Sequence, residues 1–361
     1  MAVETLTAVQ ALLPFLDRFA ANWRLKRIVP KGPHARLKVA LISDELTRHC
    51  LAHECQVRDV TPTNARELFA EWKPDLLFVE SAWEGWNGSW KYAIASYADH
   101  PTRSNAQLKA IVDLARDRRI PALFWNKEDS AHFDRFIASA KLFDTIFTVD
   151  ENCLPAYRAA APHARPEVLM FAVAPAIHYP IERGYIHPRA CFVGSYSRHV
   201  HTERRTWQDM AFAATRDLGL TVYDRNSVRR SGNYRYPESL WIEVRPRVAH
   251  DRTGDIYRDY MVQLNVNTVT DSPTMFSRRL IECLACAAFT VSNPSVSVVR
   301  LFRDYCEVAA TEEELRALFA RVKSGLGARD VERARAGSAH VLQHHTWAQR
   351  LGEVLDRVKR G

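Results

Sequence analysis

Residues 262–293 read Val-Gln-Leu-Asn-Val-Asn-Thr-Val-Thr-Asp-Ser-Pro-Thr-Met-Phe-Ser-Arg-Arg-Leu-Ile-Glu-Cys-Leu-Ala-Cys-Ala-Ala-Phe-Thr-Val-Ser-Asn. The stretch opens on a β-rich apolar run, Val262–Val266, crosses a polar loop with Pro273, follows a helical pattern at 275–286 and returns to strand at Phe289–Ser292. A strand, a helix and a second strand in close succession form a crossover that joins two parallel strands.

The same rhythm runs outward in both directions. In the first half the apolar runs are 37–43, 75–81, 121–125, 145–149 and 168–172, with helical patterns at 63–72, 104–118, 130–141 and 153–161. It restarts with Ala190-Cys-Phe-Val-Gly194, a helix near 202–217, and strands at 220–223, 262–266, 289–292 and 307–309. Strands apolar on both faces that alternate with helices imply a parallel sheet covered on both sides. Pro175, Pro180, Gly184 and Pro188 mark a hinge between the halves. The expected fold is α/β, two Rossmann-like domains facing a cleft. They span 1–175 and 185–340, and a closing helix over 341–361 packs back toward the first. Such folds bind ligands at the carboxyl ends of their strands.

A chain of 361 residues with 47% hydrophobic and 25% charged residues suits two soluble globular domains. No run approaches the roughly 20 apolar residues of a membrane span. The N-terminal run Ala11–Phe15 is short, holds Pro14 and is followed by Asp17 and Arg18, which does not read as a secretory signal. The expected location is cytoplasmic. The stretch Leu12–Arg27 is amphipathic with a basic end, so peripheral contact with the inner face of the membrane is carried as a further expectation. The net charge of +8 suits anionic partners such as a pyrophosphate, a lipid phosphate or nucleic acid. The cluster His49, Cys50, His53, Glu54, Cys55 crowds its ligands into seven residues and lacks a distant second pair, so no metal site is expected. Cys283 and Cys286 share a helix face and read as core.

Residues 262–293 also resemble the donor-binding signature of GT-B glycosyltransferases, in particular the CgeB-like, spore-maturation type family. That family's Arg-x-x-Glu-x-x-Ala-Cys-Gly helix is matched by Arg279, Glu282, Ala285 and Cys286, with Ala287 replacing the glycine. Leu301-Phe-Arg-Asp304 resembles its Phe-x-Asp turn, and His344-His-Thr-Trp-Ala-Gln-Arg350 its closing helix. In the first half Glu80–Gly85, Phe124–Asp129 and Phe143–Asp150 fit the same group, so the likeness spans roughly 75–355.

The resemblance implies glycosyl transfer from a nucleotide sugar, a UDP-sugar being the first guess, to a saccharide, lipid-linked or protein acceptor, as in surface polysaccharide or glycoconjugate synthesis. No resident cofactor is expected. Glu282 would accept hydrogen bonds from the ribose hydroxyls, since a carboxylate offers only acceptors. Arg279 would meet the pyrophosphate, with the amino end of its helix at Thr274 and Ser277 adding a positive dipole end. Gly194 and Ser195 end a strand where backbone could approach phosphate, with Arg204 or Arg205 and Arg225 as further basic contacts. Retaining relatives carry two glutamates eight positions apart; here the earlier position is Thr274, so stereochemistry does not transfer.

The base for an acceptor hydroxyl belongs on the N-terminal domain. Glu128 or Asp129, after the strand 121–125, is the first candidate, with Lys127 holding phosphate or orienting the carboxylate and His132 able to share the role. The plainer reading of that segment is a capped helix start with first-turn acids. Asp44, Glu45 and Glu80 are further candidates. Trp83 and Trp86 offer faces for an acceptor sugar, or the edge of a core. Two rivals stand beside this reading: a non-catalytic nucleotide-sugar-binding protein, and a nucleic-acid-modifying glycosyltransferase, for which no recognition motif is present.

Overall fold

The computed structural model describes residues 28–100 and 102–360. The Leu12–Arg27 stretch therefore lies outside the described residues. Among those described, the chain forms two six-stranded sheets in which every pairing is parallel.

The first sheet has the order β2-β1-β3-β4-β5-β6, with β1 Lys38–Ile42, β2 Gln56–Asp59, β3 Leu76–Glu80, β4 Ala122–Asn126, β5 Thr145–Thr148 and β6 Arg165–Val168. The helices α1 (Glu45–Glu54), α2 (Ala65–Glu71), α3 (Ala106–Asp117), α4 (Phe133–Ala140) and α5 (Leu154–Ala160) connect the strands. The second sheet has the order β12-β11-β10-β7-β8-β9, with β7 His187–Gly194, β8 Leu220–Asp224, β9 Ile242–Pro246, β10 Tyr260–Asn265, β11 Thr290–Ser292 and β12 Glu307–Val308. It carries α6 (Thr202–Ala214), α7 (Thr253–Asp259), α8 (Arg278–Ala285), α9 (Val296–Leu301) and α10 (Glu312–Val322). The central strands β3 and β10 are buried along their whole length, which explains their largely apolar reading.

Three elements depart from the sequence reading. The edge strands β2, Gln-Val-Arg-Asp, and β9, Ile-Glu-Val-Arg-Pro, escape a hydrophobic scan because an edge strand is only partly covered. The strand expected at 168–172 lies at 165–168. Residues 169–174, buried apart from the half-buried Met170, instead form a connector, and Val173 exchanges backbone hydrogen bonds with His345 (2.9 Å) and Trp347 (3.0 Å).

The chain then closes with α11 (Ala328–His344) and α12 (Trp347–Arg360). Trp347 enters the N-terminal core between Phe78 and Trp125, Arg350 donates to the Met170 carbonyl at 3.0 Å and Arg357 pairs with Glu167 at 2.9 Å. One apolar cluster therefore runs from Val39 and Trp125 through Phe171 and Trp347 to Phe276 and Leu280, welding the domains together beneath the cleft. No described helix is long and apolar enough to cross a membrane.

Candidate active site

Parallel strands deliver their carboxyl ends to one edge, and the sheet order reverses beside β7 and β10, where a crevice opens. Gly194 ends β7 there. An added Cβ would stand 2.6 Å from Nη2 of Arg279 and 2.6 Å from the Phe192 ring, so only glycine lets the Arg279 guanidinium cross the strand end. Arg279 donates from Nε to the Val193 carbonyl at 2.5 Å and lies 4.5 Å over the Phe192 ring.

Arg204, in the first turn of α6, donates to the Ser195 carbonyl at 3.2 Å. Burial, then the charges of Arg279 and Arg225, lower its pKa to about 10. Arg225 is open to the cleft yet crowded by its walls; that crowding and then Arg279 lower it too, with Arg278 adding a smaller push. Arg204, Arg225 and Arg279 thus repel one another at the end of β7, while the Arg278 guanidinium stands toward the first domain, over the Phe171 ring and 3.4 Å from the Thr47 hydroxyl. Nε of Arg204 and Nη1 of both Arg278 and Arg279 are buried without a hydrogen-bond partner. Unpaired, converging positive charge of this kind is an anion site awaiting its ligand.

Glu282 lies one turn behind, 5% exposed, with Oε1 3.0 Å from Nε2 of His250 and Oε2 accepting from the Tyr257 hydroxyl at 3.2 Å. Burial alone would raise its pKa; His178, His250 and Arg278 outweigh it and hold the carboxyl at about 2. His178, His250 and Glu282 are the described residues with the spacing of a metal site. The carboxylate's own hydrogen bonds already engage both oxygens. Cys50 and Cys55 are buried thiols whose pKa burial pushes up to about 12, fitting core packing. Cys283 and Cys286 are likewise buried.

Thr274, expected at the donor, is used elsewhere. Its hydroxyl donates to the Val149 carbonyl and accepts from the Glu151 N–H, both at 2.9 Å, pinning the two domains. The amides of the 274–277 segment are also committed, Met275 N–H to Ser272 at 2.9 Å and Ser277 N–H to Asn267 at 2.8 Å, while α8 itself begins at Arg278 with no side-chain cap from Ser277. Asn267, absent from the sequence reading, is tied to Asn293 and Ser292 and so fixes where α8 begins. Its signal was the Asn265-x-Asn267 pair that ends β10 and opens the loop.

On the opposite wall Lys127 is no phosphate holder. Its ammonium, with the side chain 10% exposed, lies 2.6 Å from Glu80, 3.0 Å from Asp44 and 3.9 Å from Glu128. Asp44 in turn accepts the N–H groups of Trp83, Glu84 and Gly85 at 2.9–3.2 Å, suspending that loop. Burial works against its carboxylate, but Lys127 and these N–H bonds bring its pKa below the ordinary value. Glu45 opens α1 as a first-turn acid.

Asp129 is corrected as a catalytic candidate. It is fully buried and receives Asn126 Nδ2 (2.7 Å), the Thr148 hydroxyl (2.7 Å) and the Tyr157 hydroxyl (2.8 Å), while burial raises its pKa to about 7. It braces the loop from beneath. Glu128 is the member of the pair left partly open, 25% exposed, and its charge reaches Arg225 across the cleft. A cavity of about 380 Å³ joins the walls, bringing Trp83 and His132 together with Ser195, Arg204 and Arg225. Trp83 packs edge-on against His132 at 5.1 Å. Trp86 is outside this wall, against His49 and 5.4 Å from the Arg48 guanidinium.

Residues 204–356 match the family described as glycosyl transferase-like. The architecture is that of GT-B glycosyltransferases. Anabaena HepE, solved in complex with UDP and glucose, superposes with a TM-score of 0.54 at 12% identity, covering 88% of this chain and 91% of that one. AviGT4, a glycosyltransferase involved in avilamycin A biosynthesis, gives 0.51 at 13% identity over 90% and 98%. Sucrose-phosphate synthase from Thermosynechococcus elongatus gives 0.51 at 12% over 87% and 78%. No curated protein matches the sequence. The chain thus has a GT-B fold, and residues 204–356 of its second half are similar to the glycosyl transferase-like family.

Proposed function

We propose that the chain transfers a sugar from a nucleoside-diphosphate sugar to an acceptor hydroxyl, within the CgeB-like group its helix-α8 motif resembles. The observation that carries this reading is the cluster of Arg204, Arg225 and Arg279 at the end of β7, with the charge of Glu128 reaching Arg225 across the cleft. A departing diphosphate develops charge where those guanidiniums stand, so they stabilise the leaving group. Positive side chains supply that charge in our reading, which makes the reaction metal-independent. In a direct displacement the acceptor oxygen bonds the anomeric carbon as the carbon–phosphate-oxygen bond breaks. The bonding pair leaves with the diphosphate and the hydroxyl proton passes to the Glu128 carboxylate. A UDP-sugar is the proposed donor, supported by the UDP held in the HepE structure. Glu282, locked by His250 and Tyr257, would present an oriented acceptor edge to the ribose.

Thermal shift with UDP-, GDP-, TDP- and CMP-sugars tests this, with Arg279→Gln as control. Stabilisation by one nucleotide class that the substitution abolishes supports the reading. No shift with any of them sinks it. Binding without turnover when an acceptor panel is supplied would favour the non-catalytic alternative.

A further inference from the structure

The cleft holds more positive charge than a donor needs. A nucleoside-diphosphate sugar brings roughly two negative charges to its diphosphate, and three arginines, Arg204, Arg225 and Arg279, already converge there. The cavity of about 380 Å³ between the walls, within the size range of small-ligand sites, shares Arg204 and Arg225 with that cluster and adds Arg205 and Arg229. No carboxylate lines it. The Arg205 side chain donates to the Arg198 backbone carbonyl, and Arg229 lies 4.6 Å over the Tyr234 ring. Neither forms a salt bridge among the described residues.

The cavity also takes in the amino end of α6. Its N-cap, His201, sits in the left-handed region at φ 57° and provides no side-chain cap, leaving the first-turn amides of a thirteen-residue helix unsatisfied by side chains at the cap. Helix amino ends favour anions, and dianions most. His132 and Trp83 close the opposite side, next to the loop that carries Glu128.

We propose that this cavity is the acceptor site and that the acceptor carries a phosphate ester, gripped by Arg205, Arg229 and the start of α6. This deepens the glycosyl-transfer reading and rests on it. Phosphate suits the arrangement better than a carboxylate, because its several oxygens can meet two guanidiniums from different elements and a helix end together. The ester could belong to a soluble sugar phosphate or to a lipid phosphate.

The test uses the full chain saturated with UDP, so that the diphosphate arginines are occupied. Calorimetric titration then compares glucose 6-phosphate with glucose, and co-sedimentation compares phosphatidylcholine vesicles with and without polyprenyl phosphate. One phosphorylated probe is expected to bind at least about tenfold tighter than its neutral counterpart, identifying the source. Arg205→Gln and Arg229→Gln should each remove most of that preference while UDP affinity stays within about twofold. If UDP binds but neither phosphorylated probe exceeds its control, or if both variants keep full preference, the subsite is overturned and the donor reading survives. If UDP fails to bind, the donor reading falls, and the same titrations on the free protein and both variants decide the subsite alone.

Discussion

The guanidinium of Arg279 occupies the space that a side chain on Gly194 would fill, 2.6 Å from the position of its Cβ. Gly194→Ala is therefore expected to push Arg279 off the end of β7 and to crowd Phe192. Donor affinity should fall about tenfold, and the overpacked strand end should cost about 1–3 kcal/mol. Calorimetry with UDP and a denaturant melt measure the two separately. Unchanged UDP affinity would separate Arg279 from the donor.

Glu128 and Asp129 are neighbours with opposite environments, and their conservative amides should behave differently. Glu128→Gln is expected to lower kcat by about 10²–10⁴ with UDP affinity and melting temperature nearly unchanged. Asp129→Asn places an amide among three donors inside the core, costing about 1–3 kcal/mol of stability. A folded Glu128→Gln protein with full turnover would remove Glu128 from the chemistry.

Lys127 neutralises two carboxylates, one of them fully buried. Removing one partner of a buried ion cluster costs about 3–5 kcal/mol, so Lys127→Met should melt early. The loop Trp83–Gly85 should lose protection from hydrogen exchange first, because Asp44 suspends it. A stable Lys127→Met protein with weakened phosphate binding would restore the phosphate-holding role.

Thr274→Val deletes the hydroxyl that joins Val149 to Glu151. The expected loss is about 1–3 kcal/mol from stranded backbone groups, with UDP affinity kept. Lost affinity at unchanged stability would put Thr274 at the donor after all.

His345 accepts from Arg350 at 3.0 Å beside Phe276 and Phe302, and burial, then Arg350, His340 and His344, hold its pKa at about 3. The unfolded chain takes up this proton near the ordinary value of 6.5, so stability is lost as pH falls below that value. The cost reaches about 2 kcal/mol at pH 5. Asp129 and Glu54, raised to about 7 by burial, act in the opposite sense. The readout is accordingly a difference: His345→Gln should be less stable than the parent at pH 7 and lose less between pH 7 and 5. Parallel curves would overturn the assignment.

Much of the fold was legible because the central strands are covered on both faces, and continuous burial leaves a largely apolar run in the sequence. The edges β2 and β9 were not legible, since half-exposed strands keep Arg, Asp and Glu. Within the site, the placement of Gly194 and Arg279 at a strand end and a helix start could be read from spacing. Whether Glu128 or Asp129 faces the cleft could not. Adjacent residues in a loop have no periodicity to orient them, and only Thr148 and Tyr157, from β5 and α5, make the second carboxylate a buried brace.

By itself, the sequence determined that two parallel sheets form and which loops stand at their carboxyl ends, because strand burial and helix alternation are local patterns of hydrophobicity. Only the tertiary structure decided which charges remain unspent. Lys127 is cancelled by Asp44 and Glu80, residues distant in the chain, whereas the arginines of α6, α8 and the loop after β8 form no ion pair among the described residues, Glu128 and Glu282 acting on Arg225 only from a distance. Electrostatic partnership depends on distance in space, and strand order sets that distance.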